Sequence, residues 1–91
     1  MDAVWLYRDE KEGSSSGLLK YRPKAAVPNH FHHGHEVVIV LEGSFKDERG
    51  TWKKGDLVVN PKGSTHSIYS EEGCINLLIY QKPVEFTKSG K

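Results

Sequence analysis

The chain predicts an all-β domain of the sandwich or small-barrel class. Three observations carry this: short apolar or alternating runs punctuated by glycine, turn signals at sandwich-like intervals, and no stretch with a helical apolar period. No internal repeat or low-complexity tract interrupts the pattern. The 91 residues leave room for one core, so residues 1–91 read as a single domain.

The elements follow in order. Val4 to Tyr7, "VWLY", reads as a first strand, because aromatic and branched side chains suit a pleated surface. "EKEGSSSG" supplies the loop of a hairpin, and "LLKYR" returns as the second strand. Pro23 and Pro28 each remove a backbone donor, so the piece before the histidines is expected to be an edge or a loop. "EVVIVLEG" is a buried strand. After it come "SFKD", the turn "DERG", "TWKKGD", "LVVNPKG", "HSIYS", the turn "SEEG" and "CINLLIY".

Charge excludes some function classes. Lys plus Arg number 13 against 12 Asp plus Glu, a net charge of +1 with the basic residues dispersed. Nucleic acid is therefore not an expected partner. The longest aliphatic run, "VVIVL", is far too short to span a bilayer, and the N-terminal residues lack the basic start and apolar core of a signal peptide. Neither membrane association nor secretion is expected. Cys74 is the only cysteine, which rules out an internal disulfide and suits a reducing, cytoplasmic location. A core this small often needs a metal or a partner subunit to stabilise it.

The stretch "NHFHHGHEVVIVLEG" holds four histidines and a glutamate within seven positions. His30 and His32 are two apart, so in an extended chain their side chains share a face with Cα atoms roughly 6.6 Å apart. Two imidazoles so placed converge on one ion. Glu36 on a straight strand would lie roughly 13 Å from His32, against a ligand bond of about 2.1 Å. The chain must turn between them if Glu36 is to join the site. Gly34 stands where that turn is needed, and glycine admits the positive φ of a tight reversal. His33 falls in the turn and His35 on the opposite face from Glu36, so both read as non-ligands. Taken alone, the cluster equally describes a polar loop or an adventitious surface site.

A second cluster, "GDLVVNPKGSTHSIYS", adds Gly55, Pro61, Gly63 and His66. Pro61 fixes φ and Gly63 permits a left-handed residue, which makes a rigid loop that returns the chain at His66. The two clusters together supply three imidazoles and one carboxylate from separate parts of the chain.

These residues carry a resemblance. H-x-H-x3-E-x6-G, at His30, His32, Glu36 and Gly43, resembles the first motif of the cupin superfamily. G-x5-P-x-G-x2-H, at Gly55, Pro61, Gly63 and His66, resembles the second. Two positions depart from the pattern: Lys24 replaces the glycine usual six residues before the first histidine, and Ser70 the asparagine usual four after the last. "VLEGSFKDERG", "NPKGSTH" and "SEEGC" resemble more closely the zinc-binding cupin domain of ChrR-type anti-sigma factors and its stand-alone relatives, over about Pro28 to Leu78. The resemblance implies a small jelly-roll β-barrel with one divalent metal held by His30, His32, Glu36 and His66. It also implies a homodimer, for which "VWLY" is the candidate edge. No N-terminal helical domain of the kind that grips a sigma factor is seen, so sigma-factor binding is not expected.

The donor set contains no thiolate and suits Zn²⁺, Fe²⁺, Mn²⁺, Ni²⁺ or Co²⁺; the resemblance favours zinc. Four ligands around tetrahedral zinc close a site, while an octahedral ion keeps two positions open. Three functions are therefore expected in competition. The leading one is a small-ligand sensing or regulatory cupin. Its rival is a metal-dependent dioxygenase acting on a dicarbonyl-like or other small oxygenated substrate, and the third is a purely structural metal in a protein-interaction module. Tyr69, Asn76 and Tyr80 are candidate pocket residues, Trp5, Phe45 and Trp52 packing residues, and Cys74 a small buried hydrophobe.

Overall fold

The computed structural model describes residues 2–86. Among them are nine strands and no helix: β1 (Asp2–Arg8), β2 (Ser15–Tyr21), β3 (Ala25–His32), β4 (Glu36–Asp47), β5 (Gly50–Lys53), β6 (Leu57–Asn60), β7 (Thr65–Ser70), β8 (Cys74–Tyr80) and β9 (Val84–Phe86). They form one antiparallel sheet in the order β1-β2-β8-β4-β7-β3-β9, with β5 and β6 both paired to β4.

The long strand β4 makes the sheet roll. Its first part pairs with β8 and β6, while Ser44 to Asp47 pair with β5 and Lys46 meets Tyr69 on β7. Between the two parts the register shifts, and Gly43 then takes φ 74°. A side chain at Gly43 would run into the Gly73 carbonyl, so the corner requires glycine. The two halves of the sheet then face each other. Val38, Val40 and Val58 come from one half and Val27, Phe45 and Ile68 from the other; with Tyr21 and Cys74 they form the core. This is the all-β barrel expected from the sequence.

Three expectations change in detail. "LLKYR" begins earlier, at Ser15, because Ser15, Ser16 and Gly17 pair with Tyr80, Ile79 and Leu78. The proline segment divides: Pro23 lies in the turn before β3 and, among the described residues, Ala25 to Val27 pair with β7 alone, as an edge would, whereas His30 to His32 are flanked by both β7 and β9. Pro28 is tolerated because the β3–β7 register shifts between Val27 and His30, where its missing N–H interrupts no ladder bond. The strand β9, absent from the sequence reading, is only three residues long and pairs with His30 to His32. By contrast β1 lies at the sheet edge as expected, exposed along its whole length.

Lys24, at the position of the missing glycine, has φ 65°. The position therefore keeps the left-handed backbone that glycine serves, and a lysine bears it. Lys24→Gly relieves roughly 1 kcal/mol of backbone strain and returns part of it as unfolded-chain entropy. The expected result is an equal or slightly higher urea midpoint, whereas Lys24→Val lowers stability by about 1–2 kcal/mol. A valine variant as stable as the parent would contradict the backbone reading.

Candidate metal centre

His30 and His32 sit at the end of β3, Glu36 opens β4, and His66 lies on β7 directly opposite His30. All four are buried. One ring nitrogen from each of His30, His32 and His66 lies within 4.8 Å of the other two. Glu36 lies beside one of them, its Oε1 3.3 Å from His32 Nε2, but outside the group of three whose donor atoms are all within 4.8 Å of one another. The chain does reverse between His32 and Glu36, but Gly34 is not at positive φ. The expected reason is corrected: a side chain there would strike the Cβ of Gln81 at 2.9 Å, so glycine serves close approach instead.

Each imidazole is oriented through Nδ1. His30 Nδ1 donates to the Pro28 carbonyl at 2.9 Å and His32 Nδ1 to the Ser64 carbonyl at 3.1 Å. His66 Nδ1 donates to Asp47 Oδ2 at 3.1 Å. With Nδ1 protonated, Nε2 carries the lone pair. The Nε2 atoms of His32 and His66 are closed off from solvent and make no hydrogen bond. Buried lone pairs without a donor are costly, and a cation bound between them relieves that cost. The donor set thus fits a divalent ion of the zinc–iron–manganese group.

Behind the converging ring nitrogens runs a network that the sequence reading missed. Glu36 Oε1 accepts from Asn60 Nδ2 at 2.8 Å, and Asn60 Oδ1 accepts from Arg49 at 2.5 Å. Arg49 also donates to Asp47 Oδ2 at 2.9 Å, and Asp47 accepts from Trp52 Nε1 at 3.2 Å. The chain Glu36–Asn60–Arg49–Asp47–His66 therefore joins the carboxylate to the most distant histidine in sequence. Asp47, Arg49 and Asn60 belong to the quoted segments "SFKD", "DERG" and "LVVN", but nothing in their spacing announces that they meet.

The electrostatics follow from this packing. Burial pushes the pKa values of His30 and His66 down, against the opposing hydrogen bonds from Pro28 and Asp47. Burial would lower that of His32 as well, but the adjacent Glu36 outweighs it and the pKa rises. For Glu36, burial is outweighed by His32 and Asn60, which hold the carboxyl below its usual range. Asp47, in spite of burial, is drawn down to about 2 by Arg49, His66 and Trp52. Two carboxylates stay ionised around three imidazoles, a negative environment suited to a cation.

The remaining candidates separate cleanly. His33 is exposed, its Nε2 2.7 Å from Glu85, and His35 is exposed with Nδ1 accepting from Lys62 N–H at 3.4 Å. A chamber of about 260 Å³ adjoins the histidines, with His30 and Glu36 in its wall and Val38, Phe45, Ile68 and Leu78 around it. Asn76, Tyr80 and also Trp5 line it, whereas Tyr69 does not. Tyr69 instead donates to Glu71 at the surface. A wider groove of about 520 Å³ near Pro23 and Gly73 contains no histidine. Cys74 is buried and free, with burial raising its thiol pKa.

Comparison with known proteins agrees with this picture. The ChrR cupin-like domain model matches residues 1–85. The anti-sigma-E factor ChrR of Cereibacter sphaeroides is 36% identical over 63 residues, which is 67% of this chain and 30% of that protein. The chain thus spans less than a third of that relative. The crystal structure of Rhodobacter sphaeroides SigE in complex with the anti-sigma ChrR aligns with a TM-score of 0.76 and 29% identity, over 86% of this chain and 43% of that one. An acetylacetone dioxygenase from Acinetobacter johnsonii aligns with a TM-score of 0.88 over 98% of this chain and 65% of its own. At 14% identity that likeness is one of fold.

Asn60 is the junction of the network, so its loss should be felt even without metal. Asn60→Leu leaves a buried carboxylate oxygen and a guanidinium donor unmatched, which costs about 1–3 kcal/mol. Urea unfolding in chelator should show that loss; an unchanged midpoint would mean the network is not formed.

Proposed function

The chain belongs to the ChrR cupin-like domain family, and on that premise we propose that it holds one divalent metal through His30, His32, Glu36 and His66. Zinc is the first candidate, with iron, manganese and nickel compatible with the same donors. The bound metal faces the apolar chamber, where a small molecule is sensed in a regulatory role. The observation that carries this reading is the convergence of three imidazoles, each anchored through Nδ1, beside a chamber of small-molecule size.

The chamber favours binding over proton-transfer chemistry. Among the described residues, apart from His30 and Glu36, its wall offers two phenols as titratable groups, Tyr21 and Tyr80, and burial raises the Tyr21 pKa well above that of a free phenol. Among those same residues no lysine, arginine or second carboxylate lines it. The supply of proton carriers is therefore poor. Asp47 would hold His66 in its metal-binding tautomer, and the Ser64 and Pro28 carbonyls would do the same for His32 and His30.

A second reading is favoured by the largely apolar wall, in which Glu36 is the one carboxylate among the described residues. It would accept a neutral diketone-like molecule beside a metal with open positions, as a dioxygenase requires. When bound, a redox-active metal would supply the oxygen chemistry, and this chain's residues would orient the substrate and exclude water. Sigma-factor binding belongs to the named complex and is not carried over to residues 2–86. A reducing compartment, in keeping with the free buried Cys74, is part of the leading reading.

Metal analysis tests both. Protein purified without added metal should carry about one divalent ion per chain, and chelation should lower the melting temperature. Alanine at His30, His32 or His66 should abolish retention under a competing chelator, while Asp47→Asn should weaken affinity about 10–100-fold. Failure to bind zinc, iron or manganese on reconstitution would sink the metal reading. Oxygen uptake by the iron-loaded protein with a β-diketone would favour the dioxygenase instead.

A further inference from the structure

Among the described residues three buried side-chain atoms lack a hydrogen-bond partner: His32 Nε2, His66 Nε2 and Asn76 Oδ1. The first two belong to the converging histidines. The third does not. Asn76 lies on β8, where alternation turns it inward with Cys74 and Leu78, and it is 1% exposed. Its cross-strand neighbours are Leu19 on β2 and Val40 on β4, so an amide interrupts an aliphatic row. A leucine would suit these surroundings without leaving a carbonyl oxygen unpaired. The other buried asparagine shows the contrast, since Asn60 commits its Nδ2 to Glu36 and its Oδ1 to Arg49.

The two ends of the Asn76 amide meet different surroundings. Burial raises the pKa of the nearby Cys74 thiol, and hydrogen bonds with Ser70 and Asn76 oppose that rise. An N–H donor acts in this direction, because it stabilises the thiolate. Oδ1 has no partner, so the bond to Cys74 belongs to Nδ2. The oxygen is thereby left to the chamber of about 260 Å³ that Asn76 lines. A trapped water would satisfy it poorly, since a buried water needs about two to four polar partners. The side chains of Leu19 and Val40 offer none.

Building on the reading of the chamber as a small-molecule site, we infer that Asn76 Oδ1 is the acceptor that selects its ligand. The ligand class is a compact, uncharged, mainly apolar molecule carrying an O–H or N–H donor, such as an alcohol or an amide. The chamber volume lies below the range of about 300–1,000 Å³ typical of drug-sized ligands, so the molecule is small. Val27, Val38, Phe45, Ile68 and Leu78 supply the apolar wall, which disfavours charge. Glu36 is a rival acceptor in that wall, but Asn60 already donates to it and it lies against His32. A molecule with acceptors alone leaves Oδ1 unpaired and binds less well. A diketone in its keto form falls on that disfavoured side.

Cyclohexanol and cyclohexanone share a skeleton and differ in this donor, so NMR titration of the isotope-labelled protein, as purified, separates them. Cyclohexanol should bind about tenfold more tightly than cyclohexanone, and it alone should shift the Asn76 side-chain amide resonances. In Asn76→Leu the two should bind within about threefold of each other. The wild-type resonances keep the test decisive if the variant fails to fold. Equal binding of both compounds to the wild type would overturn the role of Asn76 while leaving a small-molecule chamber in place. An alcohol preference that survives Asn76→Leu would overturn it too, by assigning the donor to another acceptor. If neither compound binds up to about 100 mM, the chamber reading and the role of Asn76 fall together.

Discussion

The fold turns on how three desolvated imidazoles are tolerated in a small interior. Histidine buried without partners is expensive, and a carboxylate beside it more so. Here every Nδ1 proton is given to an oxygen, and the Glu36 carboxylate is bound by Asn60. What remains is a set of converging ring nitrogens, with the buried Nε2 atoms of His32 and His66 lacking a hydrogen-bond partner, a need that a cation could meet. The protein thus spends its polar connections on orientation and leaves one unmet need at the centre.

That arrangement explains details of the backbone that packing alone would not. The bulge at Pro28 is followed at once by His30 and His32 on β3, with the Pro28 carbonyl accepting from His30 Nδ1. The turn formed by Pro61, Lys62 and Gly63 delivers Ser64 to His32, and the Gly63 amide in turn donates to the His32 carbonyl. Strand β4 starts at Glu36 and ends at Asp47, so one element supplies both carboxylates, one on each side of the Gly43 corner. Rolling the sheet at that corner is what brings them around the same histidines.

The same roll separates an inside and an outside of different character. Inside, Val27, Val38 and Phe45 of the core border a chamber that reaches His30. Outside, alternation that should give polar side chains gives aliphatic ones over five strands.

The sequence by itself determined the fold class, because glycine-punctuated runs without helical period admit few alternatives, and it marked the histidines, because their spacing matches the pleat. It also exposed the odd residue at position 24, though only the backbone angle of 65° shows that the left-handed conformation persists under a lysine. Tertiary structure alone decided the rest. Asp47, Arg49 and Asn60 are joined by hydrogen bonds between elements, and no local periodicity records such pairing. Gly34 could be read from local turn preference as a hinge, yet its use is set by Gln81, forty-seven residues on. Likewise each outward aliphatic residue is unremarkable in its own strand. Only the register between strands, a long-range property, lines them up into a face.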